Sequence, residues 1–381
     1  MKITKGNPDY TAMDSADAGG GTLIAWQSRH SNDALWDSFL AGSCQSHFYQ
    51  TSMWAEARKL DGWHPQIVLI TRDGAVQGGF QVLTRSKPYI GNIGLVLKGP
   101  VVNSNDSTDI EFVIRTLKVF ARSNRIRALV VQPPDRDREM PDLLFKSGFS
   151  PSHLEHAIKN NTVVIDLRGD EESLFKAIKR QKRQNIRTAM NSGVTVREGG
   201  KDELPVFFSF MLETCKRQGV SPSPASLEFI ERMWTVFSPT GSIKLFVSEY
   251  GGEIVSCLIV LPFGDTAYLW KFGWSGKHHK VAPNIFILWE VLKWAKANGH
   301  SRADLGPISR ELASIVWDGG AITGEQAKTY SFYKLTFGGE VVRLTEGFAY
   351  FINPLLGRAY DFFMPCLSAN PYLKSRILFS E

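Results

Sequence analysis

The chain is 381 residues long, 43% hydrophobic and 22% charged, with a net charge of +6 and an isoelectric point near 9.0. That size suits about two packed domains, and the cationic excess favours an anionic partner such as a phosphorylated cofactor, RNA or an acidic membrane surface. No run of about 18 apolar residues and no basic-then-apolar leader occurs, so neither a spanning helix nor a secretory signal is expected.

Residues 1–21 read as a disordered leader, poor in aliphatics and ending in Gly19-Gly20-Gly21. Thr22–Trp26 reads as a strand and Asn32–Ala41 as a helix. Phe48-Tyr49-Gln50-Thr51 then leads into a helix carrying Trp54 and Arg58 one turn apart. Gln66–Thr71 and Val76–Thr84 flank Arg72-Asp73-Gly74 as a hairpin, Asn92–Leu97 is a further strand, and Gly99-Pro100 opens a loop. Thr108 with Glu111 reads as a capping box, ahead of a helix with the apolar stripe Ile110, Val113, Ile114, Leu117 and Ala121. Ala128–Gln132 is the strand after it.

A second copy of this plan begins with the strand Thr162–Leu167. Between Glu171 and Ser192 runs the longest helical pattern, with Lys176, Lys179, Arg180, Arg183 and Arg187 on one stripe and Lys182 beside them. Leu204–Arg217, closed by Gly219, is a helix, and Ser223-Pro224 reads as the start of another reaching Phe237. Ile243–Glu249 and Glu253–Pro262 flank Tyr250-Gly251-Gly252, a hairpin turn. Then come the strand Ala267–Trp274, a basic loop over 276–283, a helix through Ile285, Leu288, Leu292 and Ala295 that Gly299 stops, and the strand Arg302–Leu305. Two copies of hairpin, strand, loop, helix and strand, about 175 residues apart, predict a duplicated domain rather than a solenoid.

After Pro307 the pattern predicts a long loop to about Gly324. Ser331–Phe337 alternates and is aromatic, Gly338-Gly339 follows, and Glu340–Leu344 reads as a strand. The tail from Gly347 mixes aromatics with Arg358, Lys374 and Arg376, and suits an amphipathic helix on the protein or on a membrane.

No Gly-Lys-Ser/Thr phosphate loop or Gly-x-Ser-x-Gly elbow is present, and His278-His279 are adjacent rather than at metal spacing. The four cysteines, Cys44, Cys215, Cys257 and Cys366, are scattered and read as free thiols of a reducing cytoplasm. A basic loop entering a helix can hold phosphate, so Lys277, His278 and Lys280 are candidates, although such a loop can equally be solvated surface. Five cations on one helical stripe repel one another, which makes Arg183 and Arg187 either an exposed face or a contact for an anion. Tyr268 and Trp270 alternate on a strand, as sheet packing or as the wall of a ligand groove. Lys334 is a lone cation in Phe332-Tyr333-Lys334-Leu335-Thr336-Phe337; it either snorkels to water or stabilises a developing anion.

Several segments together resemble the Fem-type aminoacyltransferases, a group within the N-acyltransferases with two fused GNAT domains. They are Phe48-Tyr49-Gln50-Thr51-Ser52-Met53-Trp54; Arg183-Gln184-Asn185-Ile186-Arg187-Thr188-Ala189 with Gly193-Val194; Glu213-Thr214-Cys215-Lys216-Arg217; Lys280-Val281-Ala282-Pro283 running into Trp289-Glu290 and Trp294-Ala295; and Tyr333-Lys334-Leu335-Thr336-Phe337-Gly338-Gly339. They span residues 48 to about 343 in the expected order.

The resemblance implies an α/β fold of mixed sheets in two tandem GNAT-like domains, over 22–160 and 161–337, with a cleft between them. It implies that the chain returns over about 338–346 to complete the first domain, so that Glu340–Leu344 belongs there, with a helical tail over 347–381. It implies transfer of an acyl or aminoacyl group to a primary amine of a cell-envelope, polysaccharide or peptidoglycan precursor. The co-substrate would be acyl-CoA or aminoacyl-tRNA, with no resident cofactor or metal. The acceptor would be a small-molecule or lipid-linked amine, and the place the cytoplasm at the inner membrane surface, with the tail as peripheral contact. Carried over by position, Lys334 is the lysine that stabilises the oxyanion or leaving group. Arg58, Tyr268, Trp270, Arg183 and Arg187 are substrate-binding. Lys277 and Lys280, read from the basic loop ahead of the helix rather than from the resemblance, are the candidates for binding the co-substrate. Asp304, Asp318 and Glu325 lie near the right region in sequence for a general base, and a water or the substrate itself could serve instead. This chain departs from the family at Gln132-Pro133, where the family has Asp-Pro, so no carboxylate acts from there. Val220-Ser221-Pro222-Ser223-Pro224 has no counterpart of the family's uridine-diphosphate contacts, and no heptad arm occurs. Those gaps keep in view a non-catalytic GNAT-derived module binding an anionic polymer or membrane surface, and the basic helix keeps in view an RNA-binding protein whose affinity falls steeply with salt.

Overall fold

The computed structural model describes residues 2–4, 6–18, 20–88, 91–104, 106–135, 137–152 and 158–368, with side chains as far as 362. The chain divides into two compact units, one formed by residues 1–159 with 345–381 and the other by residues 160–344.

The first unit is a mixed sheet with helices. In chain order it contains β1 (Tyr10–Ala18), β2 (Gly21–Ser28), α1 (Ala34–Ala41), α2 (Ser52–Arg58), β3 (His64–Arg72), β4 (Ala75–Lys87), β5 (Gly91–Leu97), β6 (Val101–Val102), α3 (Ser107–Ser123), β7 (Ile126–Gln132), α4 (Met140–Lys146) and β8 (Ser150–Pro151). The segment expected to be a disordered leader forms β1, which pairs antiparallel with β2 over Tyr10–Ala18. Leu23 and Ala25, buried on β2, make that strand part of the core, so β1 gains a partner that its own composition does not advertise. On α3 the stripe Ile110, Val113, Ile114, Leu117 and Ala121 is buried as its periodicity requires. The cap differs from the expected one: Asp106 is the N-cap and accepts a 2.9 Å bond from the Thr108 backbone N–H.

The second unit contains β9 (Asn161–Asp166), α5 (Glu171–Ala177), α6 (Arg180–Asn191), β10 (Thr195–Gly199), α7 (Leu204–Gln218), α8 (Leu227–Phe237), β11 (Lys244–Tyr250), β12 (Glu253–Phe263), β13 (Thr266–Trp274), α9 (Pro283–Ala297), β14 (Arg302–Asp304), α10 (Arg310–Trp317), α11 (Tyr330–Leu335) and β15 (Glu340–Arg343). Its sheet runs β10-β11-β12-β13-β14-β9-β15. Only β13–β14 is parallel, and α9 supplies the crossover that a parallel pair needs. The long helix expected over 171–192 is two helices, because Ile178 and Lys179 are extended and the Lys179 N–H goes to the Thr336 carbonyl at 2.9 Å instead of into a helical turn. Helix α8 starts three residues later than expected, with Ser226 as its cap. The expected loop after Pro307 holds α10, capped by Ser309, and the aromatic run expected to alternate is the short helix α11, capped by Thr329.

Glu340–Arg343 corrects the expected return to the first domain. It pairs with Asn161–Val164 at the edge of the second sheet. The strand that joins the first sheet is β16 (Phe348–Phe351), lying between β7 and β8, and α12 (Pro354–Ser368) follows it. Of the expected tail, residues 369–381 lie outside the described residues.

Candidate active site

In the second unit, β13 and β14 run side by side with Tyr268 opposite Asp304. Asp304 ends β14. Its Oδ1 accepts the Thr162 hydroxyl at 2.5 Å and the Gly306 N–H at 2.7 Å, so β9 and the following turn fix the carboxylate. The turn itself is pinned: Leu305 N–H donates to Val163 O at 2.9 Å and Ile308 N–H to Asn161 Oδ1 at 2.9 Å. Gly306 is left-handed at φ 77°, and a Cβ there would sit 3.2 Å from the Lys334 Nζ.

Lys334 reaches this turn from α11. It is only 7% exposed, its Nζ donates to Pro307 O at 2.8 Å, and it lies 5.1 Å from the centre of the Tyr330 ring. Burial pulls its ammonium down to about 7, the charge of Lys271 pushes the same way, and Asp304 opposes both. Lysine is therefore buried rather than snorkelling, and it sits where protonated and neutral forms exchange near neutral pH.

Tyr268 and Trp270 do not keep the simple alternation expected of them. Leu269 pairs with Val260 and Lys271 with Ile259, so Trp270 is the extra residue of a β-bulge. Cross-strand partners share a face. Tyr268 opposite Leu261 and Lys271 opposite Ile259 thus lie on one face, and the Lys271 Nζ is 5.3 Å from the Trp270 ring centre. Lys271 is a functional candidate that the sequence reading passed over. The signal was there, since Tyr268-Leu269-Trp270-Lys271-Phe272 holds a lone cation among aromatics just as the Lys334 segment does.

The basic stripe is divided by the break between α5 and α6, and it is not free of acids. Lys176 pairs with Glu172 at 2.6 Å. The Lys179 Nζ lies 4.4 Å from the Phe332 ring centre and that of Lys182 4.9 Å from Tyr333, while Arg187 stacks at 5.4 Å on Phe175. These cations hold α6 against α11 and α5. Arg183 reaches the Lys176 carbonyl at 3.4 Å and is half-buried. Lys280 is exposed beside the start of α9, and Lys277, also exposed, is 3.6 Å from Glu253. Helix α9 has no side-chain cap and Ala282 before it is left-handed; Pro283 carries no N–H and the Ile285 N–H already donates to the Ala282 carbonyl at 3.1 Å. Of the carboxylates expected near the site, Asp318 is the exposed C-cap of α10 and Glu325 is exposed and 2.6 Å from Lys328. Asp304 alone of the three acts electrostatically on Lys334.

Arg58 belongs to the first unit. It is 8% exposed, 3.2 Å from Asp61, and over the rings of Trp54 and Trp63. Gln132, where the resemblance led to a carboxylate, is buried and donates to Lys159 O at 3.1 Å and Thr345 O at 2.9 Å. Among the described residues no group of three His, Cys, Asp or Glu side chains is placed to hold a metal ion.

The profile of the FemAB family matches residues 32–141, and that of the acetyltransferase (GNAT) domain matches residues 175–312. A lipid II:glycine glycyltransferase of Staphylococcus aureus (strain MRSA252) is 22% identical over 304 residues, which is 75% of this chain and 70% of that one. The crystal structure of FemX superposes with a TM-score of 0.74 at 17% identity, covering 89% of this chain and 99% of that one. A tandem GNAT protein from the clavulanic acid biosynthesis pathway superposes at 0.51 and 10% identity, covering 87% and 99%.

Proposed function

We propose a reaction for this chain from the premise that it belongs to the FemAB family of GNAT-fold acyltransferases. It is an enzyme that moves an acyl or aminoacyl group to an amine. Its finer identity, by analogy with the glycyltransferases it resembles, is transfer from aminoacyl-tRNA to a primary amine of a lipid-linked peptidoglycan precursor. Acyl-CoA is the second donor considered, because the matched acetyltransferase domain contains the parallel pair β13–β14 and α9.

The observation that supports the reading most is the buried ammonium of Lys334 beside the fixed carboxylate of Asp304. The neutral acceptor amine attacks the donor carbonyl carbon. A C–N bond forms and the carbonyl π electrons move to oxygen. Lys334 donates to that oxyanion. Asp304 takes the proton that the new ammonium must lose. The tetrahedral intermediate then collapses, the carbon–oxygen bond to the tRNA ribose breaks, and the leaving oxygen takes the proton back from Asp304. With a thioester donor the carbon–sulfur bond breaks instead. Tyr268 and Trp270 wall the acceptor, and Arg183 and Arg187 are the contacts toward the tRNA; in the first unit, Arg58 is the residue proposed to bind phosphate. Lys277 and Lys280, at the uncapped start of α9, take the phosphate of the donor.

Among the described residues no helix is long and apolar enough to cross a membrane. Helix α12 leaves Leu355 70% and Phe362 75% exposed, and this face is proposed to rest on the bilayer that carries the acceptor.

The test is incubation with a mixture of charged tRNAs, acyl-CoAs and amine-bearing muropeptide precursors, read by mass spectrometry. A precursor heavier by one aminoacyl residue supports the reading; an acyl adduct from CoA moves it to the second donor. Binding of polymer or lipid with no product from any donor would replace it with the non-catalytic module.

A further inference from the structure

Lys271 occupies its position because β13 carries one residue more than β12 allows. Without Trp270 as the extra residue, the pleat would turn position 271 to the opposite face from Tyr268, under α9. With it, Lys271 continues the Tyr268 face past the level at which β14 ends. Lys334 delivers its ammonium to that same end, at Pro307, three residues after Asp304 closes β14. The two lysines come from separate elements, α11 and β13, and converge where one carboxylate, Asp304, is available.

We propose that Lys271 is a positioning residue that adds to the effect of burial in weakening the hold of Lys334 on its proton, and that the bulge at Trp270 brings it to that face.

The charged and titratable groups around Lys334 are few. Asp304 comes from β14, Lys271 from β13, and Tyr330 and Tyr333 from α11 itself. Cys215 on α7 acts on Tyr330 and in turn feels Lys271, while Lys182 on α6 covers Tyr333. Thr162 on β9 is neutral and already bonded to Asp304. Lys271 and Asp304 thus act on Lys334 with opposite sign. A second like charge in a buried pocket disfavours protonation of the first, so Lys271 and burial act together on Lys334 and only Asp304 resists. An ammonium of lowered proton affinity donates more strongly to the developing oxyanion, while Asp304 remains the proton acceptor.

The inference rests on the acyl-transfer reading for its effect on rate, but its physical core is testable without turnover. The protein is made with 13Cε-labelled lysine, and the Lys334 signal is identified by its loss in Lys334→Arg. Its titration midpoint is then followed by NMR in the wild type, Lys271→Met and Lys271→Arg. The midpoint is expected near 7 in the wild type, to rise by on the order of one pH unit in Lys271→Met, and to stay in place in Lys271→Arg. Lys271→Gln replaces Lys271→Met should the latter fail to fold. An unmoved midpoint in the neutral variant, or an equal shift in Lys271→Arg, overturns the proposal. If the midpoint moves as expected while no donor gives product, the coupling stands and the transferase reading alone fails.

Discussion

Tyr268 and Asp304 are register partners in the one parallel strand pair of the second unit, and Asp304 is the last residue of its strand. Side chains at the carboxyl end of a parallel strand are free of the ladder that follows, which is why such ends collect chemistry in α/β folds. Here the end is also braced, since Thr162 and the Gly306 N–H hold one carboxylate oxygen. A carboxylate held this firmly needs no rearrangement to serve as the proposed base.

Replacing Asp304 by Asn keeps an oxygen for Thr162 and Gly306 while removing the proton acceptor. Turnover is expected to fall by about 100-fold or more with the fold intact. Equal activity in the variant at any pH would remove Asp304 from the reaction.

Lys334→Ala is expected to lower kcat by about 100-fold or more, the usual cost of losing an oxyanion donor. Lys334 also leaves a signature in stability. In the unfolded chain it titrates at its ordinary value of 10.5, but in the folded protein near 7. Between those values the unfolded chain holds a proton that the folded one does not. Stability from this group therefore rises as pH climbs from about 7 toward 10.5, and is flat below about 7. Urea unfolding of the wild type and Lys334→Met at pH 7 and pH 9.5 isolates it: the wild type gains this increment and the variant does not.

Gly338→Ala should destabilise the second unit by about 2 to 4 kcal/mol. Gly338 is left-handed at φ 83°, and a Cβ would lie 2.8 Å from both the Cβ and the carbonyl oxygen of Ala177. It turns the chain out of α11 into the gap between α5 and α6. The unfolding midpoint reports the loss, and activity should fall as α11 shifts and Lys334 leaves Pro307.

Gln132→Leu should cost the first unit about 1 to 3 kcal/mol, because it removes the amide donor from the carbonyls of Lys159 and Thr345 inside a buried site. A stability within about 0.5 kcal/mol of wild type would show that water replaces the amide.

Strands and helices with strong periodicity were legible from the sequence. The apolar stripe of α3 and the hairpins of β3–β4 and β11–β12 needed nothing beyond local spacing. The failures share a cause, which is that a distant group decided a local question. The break after Ile178 depends on a carbonyl at Thr336, about 160 residues away in sequence. Strand β1 depends on an apolar neighbour, and Glu340–Arg343 chose β9 over the first sheet by pairing that no pattern encodes. At the site, Lys334 stood out as a cation among aromatics, whereas Lys271 required the bulge to be seen before its face was known.

The placement of β16 has a consequence for synthesis. The first sheet needs Phe348–Phe351 to fill the gap between β7 and β8, yet those residues leave the ribosome after every strand of the second sheet. The first sheet must wait, with an open flank, for a segment translated only after the whole of the second sheet. A chain released before about residue 351 should keep that flank exposed and be sorted to chaperones or proteases.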